Sequence, residues 1–226
     1  MPRATYGEPV NRTRRVAGGG RAVEVAPERL GGWFARFADR NGGIAHTRPG
    51  ADEVVVTAGN GATATVTVPF PPLDAPGDLD ALIAHANAPR RIGLLLVRLG
   101  GHSVGVAEGG RVVVSRTAGR LVHGRSAAGG WSQQRFARRR DAQARQAVRA
   151  AASDAADVLG TRLPELDAVV LGGDRAALDE VRRDRRLSGV FALALPRVLD
   201  VAEPRRSVLD EAAKRALAVE VVVRDA

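Results

Sequence analysis

Residues 91–118 read "RIGLLLVRLGGHSVGVAEGGRVVVSRTA". Three short runs rich in valine and leucine are separated by Gly100-Gly101 and Gly109-Gly110. Glycine pairs supply the backbone freedom of tight turns, so the runs are predicted to form three strands of an antiparallel meander. Downstream the pattern changes. A helical stretch extends from about Gln133 to Leu159, on the order of 40 Å if straight. The apolar run "DAVVLGG" (167–173) suits a buried strand and precedes a helix from about Arg175 to Arg185. "VFALALP" (190–196) reads as another strand, Pro204–Ala218 as a helix and "VEVVVRD" (219–225) as a final strand. Strands first antiparallel and then joined through helices imply an α+β or α/β domain over 91–226, a mixed β-sheet covered by helices.

Upstream lies a smaller α+β unit, expected over 21–77. A strand from Arg21 to Val25 leads to a helix opened by Pro27, with Leu30, Phe34 and Phe37 beside Trp33 on one apolar face. "EVVVTAGNGATATVTVPF" (53–70) reads as a hairpin turning at Asn60-Gly61. A helix from about Asp78 to Asn87 is expected to link the two domains over 78–90. Residues 1–20, with Arg12, Arg14, Arg15 and Gly18 to Gly20, are expected to be a flexible basic tail.

The composition narrows the chemistry. At 226 residues and 45 % hydrophobic, the chain is long enough for a sizeable core. It has no cysteine, which removes disulfides, thiolate nucleophiles and most structural zinc sites. His46, His85, His102 and His123 show no metal-ligand pairing and read as isolated surface or core histidines. No metal and no cofactor is expected. Nothing approaches the ~20 apolar residues of a membrane span, and no signal-peptide stretch opens the sequence, so a cytoplasmic protein is expected. The strand–Gly172-Gly173–helix turn lacks the spacing of a phosphate-binding loop, and loop geometry explains it better. Clustered carboxylates for two-metal hydrolysis are also missing from the meander, which offers only Glu108.

Charge singles out one segment. Residues 111–149 hold ten arginines against Asp141 alone, which is +9, the entire net charge of the chain. A concentrated basic footprint on an otherwise balanced chain suits a polyanion, because phosphates are attracted and counterions released. At its centre stands "GGWSQQRFARRR" (129–140). Gly129 and Gly130 leave the backbone unhindered for close approach to a bulky ligand. Ser132 suits a helix N-cap, placing Gln133 and Gln134 in the first turn, where unpaired N–H groups welcome an anion. An ordinary loop before a surface helix accounts for the glycines but not for ten arginines flanking two amides. Along the helix, Phe136, Val148, Ala152 and Leu159 can face the sheet while Arg135, Arg138, Arg139, Arg145 and Arg149 point to solvent.

"HGRSAAGGWSQQRFARRR" (123–140) resembles the catalytic loop and following helix of the eukaryotic and archaeal class 1 peptide-release factors. There a His-Gly-Arg segment and a Gly-Gly-Gln loop precede an Arg-Phe-Ala-Arg helix. The resemblance covers roughly residues 91–218 in the order of strands and helices. It is closer still to the Vms-like release factors of ribosome quality control, whose loop carries Ser-Gln. Aligned without gaps on Arg135 to Arg138, the release-factor glutamine falls on Trp131. Ser132-Gln133 matches the Vms-like motif, so the catalytic role passes to Gln133, with Gln134 second.

The resemblance implies a release-factor middle-domain fold and a peptidyl-tRNA hydrolase. Its partners would be the large ribosomal subunit and peptidyl-tRNA. Gln133 would orient water and bind the developing oxyanion, because a carboxamide cannot act as a base near neutral pH. Arg125, Arg135, Arg138, Arg139, Arg140, Arg145 and Arg149 would hold RNA phosphates. Trp131 would stack on a base or sugar, or pack the loop on its own domain. Residues 1–90 do not resemble the stop-codon-reading domain, so release from stalled ribosomes by a monomer is expected. The alternative is a ribosome- or tRNA-binding rescue adaptor of the same fold without hydrolysis.

Overall fold

The computed structural model describes residues 13–73, 78–98, 100–119 and 132–226, with the backbone alone over 132–144. In chain order the strands are β1 (Thr13–Arg15), β2 (Arg21–Val25), β3 (Ile44–Arg48), β4 (Glu53–Ala58), β5 (Thr63–Thr67), β6 (Arg91–Arg98), β7 (Gly101–Glu108), β8 (Arg111–Gly119), β9 (Ala168–Gly173), β10 (Ala194–Leu199) and β11 (Val219–Arg224). The helices are α1 (Leu30–Arg40), α2 (Leu79–Asn87), α3 (Ser132–Val158), α4 (Arg175–Arg182), α5 (Ser188–Ala192) and α6 (Arg206–Leu217). Two compact units result, Met1–Ala88 with Leu217–Ala226, and Pro89–Ala216.

The first unit is a six-stranded antiparallel sheet in the order β1-β2-β11-β5-β4-β3. Strict alternation in β4 and β5 buries Val54, Val56, Ala64 and Val66 on one face, where α1 delivers Leu30, Phe34 and Phe37. Each of the valine, leucine and phenylalanine side chains among them contributes about 1.5–3 kcal/mol of burial. Asp78 caps α2 by accepting from the Ala81 N–H at 3.0 Å.

Three expectations change here. Residues 13–15 are not free tail but an edge strand, and Arg14 of β1 reaches Glu220 at 2.9 Å. The helix expected to link the domains instead buries Leu82 and Ala86 in this unit's core. Most consequentially, β11 does not close the second domain. It runs between β2 and β5, pairing Val221 with both Val23 and Val66 and burying Val219, Val221 and Val223. β3 carries almost wholly exposed residues, so no apolar alternation announced it.

The second unit is a mixed five-stranded sheet ordered β10-β9-β6-β7-β8. The meander β6-β7-β8 is antiparallel, and β9 and β10 join it in parallel through helices. Both faces are covered. Leu95, Val97, Val104 and Val106 point to the α3 side, whereas Gly105 faces Leu209 of α6. The last expected strand shifts: Val190–Ala192 lie in α5, and β10 begins at Ala194. An apolar run that short is compatible with either element, and burial of Val190 beside Leu187 decided for the helix.

Candidate catalytic helix and nucleic-acid interface

Twenty-seven residues form α3, which begins at Ser132 and follows the segment joining it to β8. Among the described residues Ser132 is the first of α3, and Gln133 and Gln134 follow it directly. Backbone N–H groups in the first turn of a helix have no partner within it, and the helix dipole is positive there. Gly129, Gly130, Trp131 and Arg125 lie outside the described residues. So do the side chains of Ser132, Gln133, Gln134, Arg135, Arg138, Arg139 and Arg140.

The rest of α3 explains how such a helix is held. Ala151, Ala152, Ala155, Val158 and Leu159 are buried and Val148 packs at their margin, a repeat of three and four residues that makes one apolar stripe. Its alanines let the helix sit close on Val104 and Val106 of β7. On the opposite side Arg145 and Arg149 are exposed, as the sequence pattern predicts. The described basic surface of α3 is therefore these two guanidiniums.

A polar clasp pins α3 to the sheet. His102 of β7 is buried, and its Nε2 lies 2.8 Å from Asp154 Oδ2. Since a carboxylate only accepts, the imidazole donates. Arg116 of β8 donates to Asp154 Oδ1 at 3.1 Å and to Asp157 Oδ2 at 2.7 Å. Burial pushes the Asp154 carboxyl up, but the hydrogen bonds from His102 and Arg116 outweigh it and leave it below its ordinary value. The hydrogen bond to Asp157, followed by that to Asp154, raises Arg116. Arg116 is thus one of the ten arginines of the basic segment that already has its anions, and it leaves the candidate RNA surface. No sequence signal couples residues 52 positions apart.

Other sites resolve plainly. Gly172 and Gly173 answer to packing: a side chain on Gly172 would begin 2.7 Å from Leu96 Cδ2, and Gly173 has φ +101° with its missing Cβ against the Val97 carbonyl. The Asp174 carboxylate accepts from the Ala176 and Ala177 N–H groups, so the N-terminus of α4 already holds an anion. Among the described residues no three His, Asp or Glu side chains converge as metal ligands. No described helix is long and apolar enough to cross a membrane.

The model of the Actinobacteria/Chloroflexi VLRF1 release factors matches residues 90–222, more than half of the chain, and that span contains the meander, the Gln-Gln turn and α3. The chain belongs to this release-factor family. The match also runs past the end of the second unit into β11. Among solved structures, one titled "Archaeal protein" is 16 % identical with a TM-score of 0.36, covering 70 % of this chain and 48 % of its own. The crystal structure of the archaeal translation termination factor aRF1 is 15 % identical with a TM-score of 0.39, covering 71 % of this chain and 51 % of its own. The chain spans about half the length of each. No curated protein matches it in sequence.

Proposed function

We propose that the chain is a peptidyl-tRNA hydrolase of the Vms-like kind, freeing nascent peptides from stalled ribosomes in the cytoplasm without reading a stop codon. The observation that carries the reading is the release-factor family match over residues 90–222, which includes Gln133 directly after Ser132, the first described residue of α3. Ester hydrolysis needs a placed water and a donor at the developing oxyanion. Gln133 supplies the amide for this, by side chain or backbone N–H, with Gln134 as the second candidate. Gly129, Gly130 and Ser132 let that turn approach the tRNA end. Arg145 and Arg149, with Arg125, Arg135, Arg138, Arg139 and Arg140, hold ribosomal RNA or tRNA through phosphates, and Trp131 stacks on a base or sugar. The monomer acts at the large subunit on peptidyl-tRNA.

The test is direct. Stalled ribosomes with labelled peptidyl-tRNA are mixed with wild type, Gln133→Ala or Gln134→Ala. Wild type frees the peptide, and Gln133→Ala binds but releases ~10²–10³ more slowly, the usual cost of a lost oxyanion donor. Loss confined to Gln134→Ala moves the role by one residue. A wild type that binds without release makes the chain a rescue adaptor instead.

A further inference from the structure

The first unit, most of which lies outside the family match, carries a cleft of about 520 Å³ between α1 and the edge of its sheet. Trp33, Arg36, Phe37 and Arg40 line it from α1 and Arg21 from β2, and Asp225 is its one acid among the described residues. Spacings of three and four along α1 put Trp33, Arg36, Phe37 and Arg40 on one stripe. Trp33 is half-buried, parallel to Phe37 at 5.6 Å between ring centroids and edge-on to Phe34 at 4.9 Å. That packing makes a rigid aromatic wall.

The three arginines are the informative part. Arg14, on the neighbouring edge strand, is neutralised by Glu220. Arg21, Arg36 and Arg40 have no ion pair among the described residues, although they share one cleft. Guanidiniums with no ion pair among the described residues, beside an aromatic wall, offer phosphate contacts and a stacking surface together. The cleft is lined by α1 from Trp33 to its C-terminal end and not by the first residues of the helix, so no free helical N–H groups cradle a polyphosphate, as they do in enclosed mononucleotide sites. We propose that this cleft binds single-stranded RNA, with a base against Trp33 and the strand's phosphates on Arg21, Arg36 and Arg40. The proposal stands apart from hydrolysis and gives the first unit a ribonucleoprotein contact of its own.

The test uses the full chain with Trp131→Phe, which leaves Trp33 as its sole tryptophan. Ten-nucleotide oligouridine and oligoadenylate quench Trp33 fluorescence saturably, and AMP at matched nucleotide concentration does not. In the same background, Arg36→Ala with Arg40→Ala weakens that binding about ten-fold or more at low salt, with an unchanged circular dichroism spectrum. Anisotropy of a labelled strand, read in a background with Arg135, Arg138, Arg139, Arg140, Arg145 and Arg149 of α3 all replaced by alanine, shows Trp33→Phe binding and Trp33→Ala weakened roughly 5- to 100-fold. Absence of quenching, or quenching indifferent to Arg36 and Arg40, overturns the proposal. AMP acting as well as the strand also overturns it and makes the cleft a free-nucleotide site. Peptide release with a silent Trp33 removes the cleft alone, and a responsive Trp33 without release removes only the hydrolase.

Discussion

Replacing Asp154 with alanine removes the acceptor of a buried imidazole. His102 is 2 % exposed and Asp154 24 %, and 2.8 Å separates Nε2 from Oδ2. Leaving the imidazole N–H buried without a partner costs about 1–3 kcal/mol. Losing the Arg116 contact adds little, because Arg116 is half exposed and keeps Asp157 at 2.7 Å. The expected loss at pH 7 is therefore about 1–3 kcal/mol, read by urea denaturation followed by circular dichroism. The pH dependence has a definite sign. A carboxyl held below its ordinary value of about 3.9 stabilises the fold above that value and loses the contribution as pH falls through the folded one. The gap between wild type and Asp154→Ala should thus be full near neutrality and narrow as pH falls below the ordinary carboxylate value of about 3.9. His102→Phe with Asp154→Ala should lose less than the two changes summed, because each removes the same bond. A change under about 0.5 kcal/mol at pH 7 would refute the clasp, since that is the scatter of ordinary surface substitutions. A gap that widens on acidification would refute it equally.

Arg145→Ala with Arg149→Ala should flatten the salt dependence of ribosome binding by about 1.4–1.8 in log–log slope, at roughly 0.7–0.9 per lost phosphate contact. Filter binding at several potassium chloride concentrations measures it, and an unchanged slope takes Arg145 and Arg149 out of the interface. Truncation after Leu217 deletes β11 and with it Val219, Val221 and Val223, each worth about 1.5–3 kcal/mol of burial. The sum is comparable to the whole 5–15 kcal/mol stability of a typical domain. Limited proteolysis should then digest the first unit and spare Pro89–Ala216, whereas a protected first unit would mean that its sheet does not depend on β11.

Local chemistry decided much of this protein. Glycine pairs between runs rich in valine and leucine determined the β6-β7-β8 meander, and the three-and-four repeat from Val148 to Leu159 determined which side of α3 is buried. The same pattern left Arg145 and Arg149 on the outside. The order of residues 123–140 carried the family likeness, because a motif is by definition contiguous. His102 and Asp154 are legible only in the tertiary structure, since 52 residues separate a buried imidazole from the carboxylate that satisfies it. The Trp33–Arg36–Arg40 cleft likewise needs Arg21 from β2 to become a site. β11 marks the boundary most clearly. Its alternation specifies a strand with one buried face, yet its hydrogen-bonding edges are the same peptide groups as those of any other strand. Its partners, Val25 and Val66, are more than 150 residues away, and only the burial of Val219, Val221 and Val223 against α1's core selects them over the sheet that precedes β11 in the chain.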